Sequence, residues 1–89
     1  MMYVAFLTIR DAKLNQAVRP EHLQYVARLQ EKGQVLMAGP FQDGSGGMVI
    51  YQNVTESEAR SLAENDPVIS SGARELRLTA WNPLDLRSD

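Results

Sequence analysis

The sequence predicts an α+β fold of order β-α-β-β-α-β, a four-stranded antiparallel sheet with two helices on one face. Three observations predict it. Four short runs rich in Val, Ile, Leu, Tyr and Phe are separated by two stretches of helical periodicity. Right-handed crossovers turn that order into the spatial sequence 4-1-3-2. The first and third runs are apolar on both parities, as central strands should be, whereas the fourth alternates like an edge.

Tyr3 to Arg10 reads as the first strand, with Tyr3, Ala5, Leu7 and Ile9 on one side and Val4 and Phe6 on the other. Residues 11–19 are polar and read as irregular. Pro20 then opens the first helix, where its missing N–H is no loss. Leu23, Val26, Ala27 and Leu29 form its apolar stripe, and Gly33 stops it. Val35 to Ala38 is the second strand and Met48 to Tyr51 the third, joined by Gly39 to Gly47 with Asp43-Gly44 at the tip. Thr55-Glu56-Ser57-Glu58 is a capping box for a second helix that buries Ala59, Leu62 and Ala63. Asp66-Pro67 ends that helix, because a residue before proline is driven from the helical region. The last strand runs from Glu75 to Trp81, and the domain spans residues 1–83. A polar tail, 84–89, is expected to fray.

A chain of 89 residues holds one domain, and a thin core for its 44% hydrophobic content. Two helices cover one face of the sheet, and the apolar residues left on the other would exceed the patch a monomer tolerates. A second copy joined sheet to sheet is the economical cover, giving a homodimer with a barrel-like interior. A net charge of −2, with 11 acids against 9 bases, argues against nucleic-acid or membrane-surface partners. No segment approaches the roughly twenty apolar residues of a membrane span, and the first residues lack the basic leader of a signal peptide. A cytoplasmic location is therefore expected. Without cysteine there is no thiolate metal site, and one histidine cannot build an imidazole cage, so no cofactor or metal is expected.

The topology brings chemistry to one sheet edge. His22 is placed there in the first turn of its helix, with the Gly39–Gly47 loop, Asp66 and the loop into strand four. His22 falls at the margin of the Val26–Leu29 stripe and should face the sheet, within roughly 2.6–3.2 Å of Asp66 or bridged to it by one water. An Asp that fixes one ring nitrogen leaves the other free to take or give a proton. Gly39, Pro40, Ser45, Gly46 and Arg74 are the substrate-binding candidates around the pair. Arg19 flanks the same edge and with Arg74 could hold an anion. The glycine-rich loop lacks the Lys-Ser/Thr ending of a phosphate loop and leads into a strand, so it reads as a hairpin turn.

Arg19-Pro20-Glu21-His22-Leu23 with Tyr25, Met37-Ala38-Gly39-Pro40-Phe41, Gly46-Gly47-Met48, Asn65-Asp66-Pro67 and Ala80-Trp81-Asn82-Pro83 appear in this order. Together they resemble the YciI-related (YCII) domain family across nearly the whole chain. The resemblance implies a ferredoxin-like dimeric α+β barrel and a His–Asp catalytic pair, which falls on His22 and Asp66. It also implies elimination-type chemistry on hydroxylated, halogenated rings in some members, with isomerases and monooxygenases on similar barrels. Two functions follow as expectations: a cofactor-free lyase or isomerase acting on a small molecule, or a non-catalytic small-molecule-binding or accessory dimeric module. A cavity beside His22 separates them, because a sealed imidazole cannot meet a substrate.

Overall fold

The computed structural model describes residues 1–87. Its elements in chain order are β1 (Met2–Ile9), α1 (Ala12–Glu31), β2 (Val35–Pro40), β3 (Gly46–Tyr51), α2 (Glu56–Glu64), α3 (Pro67–Ser70) and β4 (Arg74–Trp81). The strands form one antiparallel sheet in the order β2-β3-β1-β4, the ferredoxin-like arrangement expected. Register is fixed by alternation. Leu7 stands beside Gly47 and Leu76 on the helix-covered face, and Phe6 beside Met48 and Arg77 on the other.

The first helix is longer than the sequence reading allowed. It starts at Ala12 and Pro20 lies inside it, so residues 11–19 are not irregular and Pro20 does not open the helix. The start is set by Asp11, whose side chain accepts the Leu14 N–H at 3.0 Å. Leu14, Val18, His22, Val26 and Leu29 then recur every third or fourth residue along one face, half-buried at its start and buried from His22 onward. Pro20 deprives the Gln16 carbonyl of its helical donor, but both residues are exposed and water can take the bond.

The hairpin is tighter than expected. Gly39, Pro40, Gly46 and Gly47 belong to the strands, and the turn proper is 41–45, with Asp43 accepting the Ser45 N–H and Gly44 at a φ of 77°. The capping box at Thr55 and Glu58 is present in both directions. Asp66-Pro67 ends one helix and begins another. Asn65 caps α2, then Asp66 caps the single turn α3, with Pro67 in its first turn.

The core joins Ala5, Leu7, Val49 and Tyr51 of the sheet to Val26, Leu29, Ala59, Ala63 and Val68 of the helices. The Tyr25 hydroxyl donates to the Leu62 carbonyl at 2.8 Å and ties α1 to α2. By alternation, the opposite face of the sheet carries Met2, Val4, Phe6, Met37, Met48, Ile50 and Trp81. Val4 and Ile50 are shielded there, while Met37 and Trp81 remain 55% and 45% exposed, and the Arg77 guanidinium lies 4.4 Å over the Phe6 ring. The tail is exposed through Arg87, and its last two residues lie outside the described ones. Among the described residues, no helix is long and apolar enough to cross a membrane.

Candidate functional site

His22 sits midway along α1, not in its first turn as the sequence reading had it, because the helix begins at Ala12. Its inward orientation is as expected: the residue is 7% exposed and continues the stripe to Val26. Across from it, Asp66 is fully buried at the N-terminus of α3, where Oδ1 accepts the Val68 N–H at 3.1 Å. The His22 Nδ1 lies 2.8 Å from Asp66 Oδ1 and 2.9 Å from Oδ2, within the range that the topology required.

An ionised carboxylate only accepts, so beside an ionised Asp66 the neutral ring places its hydrogen on Nδ1 and donates it to Asp66. Nε2 is then the nitrogen left with a lone pair. Burial pushes the Tyr51 and Tyr25 hydroxyls above their ordinary range, and the nearby charge of Asp66 pushes the same way. Both phenols therefore remain neutral neighbours of the pair.

A cavity of about 240 Å³ opens between α1 and one end of the sheet, with His22 in its wall. The register shows which end: Leu7 pairs with Gly47, Pro40 with Gly47 and Arg74 with Ile9. Of the substrate-binding candidates, Gly39, Pro40 and Arg74 line the cavity. Ser45 and Gly46 do not. Ser45 is exposed in the turn with its N–H on Asp43. Gly46 packs so closely on β1 that a Cβ would run into the Leu7 carbonyl, so it allows strand contact and touches no ligand space.

Arg74 is only 8% exposed, and its Nε–H donates to Asn15 Oδ1 at 2.6 Å. Burial lowers the guanidinium's pKa from the usual arginine value; the charge of Asp66 opposes that, and Arg19 adds to it. Asn15 was missed because residues 11–19 were read as irregular. The signal was available: Asn15, Arg19, His22 and Val26 share one face of a helix at spacings of three and four. Among the described residues, no three His, Cys, Asp or Glu side chains group so as to hold a metal ion.

The sequence model of the YCII-related domain matches residues 1–82. The uncharacterized protein YjpA of Bacillus subtilis (strain 168) is 35% identical over 75 residues, which covers 84% of this chain and 88% of that protein. A solved structure of 5-chloro-2-hydroxyhydroquinone dehydrochlorinase (TftG) from Burkholderia phenoliruptrix AC1100, in complex with 2,5-dihydroxybenzoquinone, superposes with a TM-score of 0.76. That match covers 92% of this chain and 94% of the other at 22% identity, and it shows a shared fold.

Proposed function

The chain belongs to the YCII-related domain family, and we propose that it is a cofactor-free lyase or isomerase acting on a small molecule. In this reading His22 moves the proton and Asp66 positions the ring. One observation carries it: a buried imidazole tied through Nδ1 to a buried carboxylate, in the wall of a cavity. Nε2 accepts a proton from an acidic C–H or O–H of the ligand. The resulting imidazolium is stabilised by Asp66, whose charge needs no rearrangement to do so. The proton then returns at a different atom in an isomerisation, or a leaving group departs in an elimination. A base placed in this way contributes about 10²–10⁴-fold.

The shared fold with a dehydrochlorinase supports the elimination reading, since loss of HCl needs one base positioned as chloride leaves. The cavity also favours a small ligand, being below the roughly 300–1,000 Å³ usual for drug-sized ones. The test is chloride release from chlorinated hydroxyhydroquinones, together with deuterium uptake from D₂O into acidic C–H positions of small ketones. Turnover by the wild type, with a loss of about 10²-fold or more in a folded His22→Asn variant, is expected. Equal turnover in both proteins would remove His22 as the base, and none in either would favour a binding or accessory module.

The apolar face opposite the helices supports a two-fold homodimer joined sheet to sheet. Val4, Phe6, Met48 and Ile50 on the two central strands would form its centre.

A further inference from the structure

We propose that Arg74 and Arg19 form an anion subsite in the cavity beside His22, and that the ligand is a small organic acid. Its ionised oxygen, a carboxylate or an acidic ring enol, is held by the arginines while Nε2 of His22 reaches a neighbouring atom. The proposal rests on the enzymatic reading for what happens to the ligand, though not for its binding.

Arg74 is buried as a residue, yet its terminal amino groups are not among the fully enclosed polar atoms, and a guanidinium placed in this way ordinarily forks onto a carboxylate. Arg74 does not: among the described residues no acidic group lies within ion-pair distance of it. Its protein partner is Asn15, which takes the Nε–H and so fixes the plane of the group. The two terminal amino groups are left with no protein acceptor among the described residues, in a side chain that lines the cavity. Asp66 is near enough for its charge to be felt, but its oxygens serve His22 and the Val68 N–H.

Arg19 makes the deficit larger. It lines the same cavity one helical turn after Asn15 and is close enough to Arg74 for the two charges to oppose each other. Two cations therefore share a small cavity in a chain whose net charge is −2. Like charges held together around a concave space create a potential that an anion relieves. The arrangement also suits chemistry at His22. An oxygen held by the arginines is where negative charge collects when a proton leaves an adjacent carbon.

The experiment is calorimetric titration of the full chain with benzoate and with its neutral counterpart benzamide. A second pair, tropolone above its ionisation and tropolone methyl ether, distinguishes a carboxylate from an acidic enol. At least one anion should bind about tenfold more tightly than its neutral partner, and more weakly as salt rises. Arg74→Gln should remove that preference, and Arg19→Gln, at an exposed residue, should reduce it. His22→Asn should leave it in place. Equal affinity for anion and neutral partner, or a folded Arg74→Gln protein that keeps the preference, would overturn the subsite. If Arg74→Gln does not fold, the wild-type comparison and Arg19→Gln still decide. Turnover that survives Arg74→Gln would leave the enzyme without the subsite. Anion preference without any turnover would leave the subsite without the enzyme.

Discussion

Asp66 is predicted to hold the His22 ring with an energy that a double-mutant cycle can read. His22→Leu keeps the volume near that of imidazole and removes its hydrogen bond. Asp66→Ser is the matching change, since serine caps a helix nearly as well as aspartate but is too short to reach Nδ1. The contact is a charge-assisted hydrogen bond between groups 7% and 0% exposed, so water cannot replace either partner. Such bonds contribute about 1.5–3 kcal/mol, and each single variant leaves one buried group unpaired at about 1–3 kcal/mol. For a domain of this size, melting should fall by about 4–8 °C per kcal/mol, hence by roughly 5–20 °C in each single variant. The double variant should lose less than the sum by about 1.5–3 kcal/mol. Melting is compared at one protein concentration, because the stability of any self-associating chain depends on it. Losses that add to within about 0.5 kcal/mol would show that the two residues do not support each other, and would refute the reasoning.

Gly46→Ala should destabilise by about 1–3 kcal/mol or more, since the new methyl meets the Leu7 carbonyl in a paired strand; an unchanged melting temperature would contradict it. Light scattering should return a dimer at micromolar concentration, and Phe6→Glu on the open sheet face should return a monomer with an unchanged circular dichroism spectrum. The Glu58 carboxyl is held below its ordinary 4.5 by its bonds to Thr55, the backbone N–H foremost. The capping box is therefore complete above that value and is lost as pH falls through the lowered one, which hydrogen exchange at the Thr55 amide should follow.

Much of the fold is legible in the residues, for reasons that can be named. β1 and β3 are apolar on both faces, and Thr55 and Glu58 mark a helix start by their spacing alone. The His22–Asp66 contact was expected on the premise that His22 stands in the first turn of its helix; it forms although His22 lies midway along α1, because Asp66 sits at the start of α3 across from it. What was hidden was the first half of α1. Polar residues from Asp11 to Arg19 mask a stripe of which Leu14 and Val18 are the apolar members, and proline normally marks a helix start. The cost was local but real, since Asn15 lies in that half and orients Arg74. Gly46 misled in another way. Glycine in a loop reads as room for a ligand, whereas Gly46 is glycine because β1 comes too close for a side chain.

A base at this site requires that Nε2 of His22 be the free ring nitrogen. His22 is the only histidine in the chain, so nitrogen NMR of histidine-labelled protein reports this ring alone. At a pH where the ring is neutral, the proton should lie on Nδ1, toward Asp66, and Nε2 should give the resonance of a bare nitrogen. That resonance should move when benzoate or tropolone fills the cavity. A proton on Nε2, or a ring that no ligand disturbs, would contradict the claim that the pair presents a base to a bound small molecule.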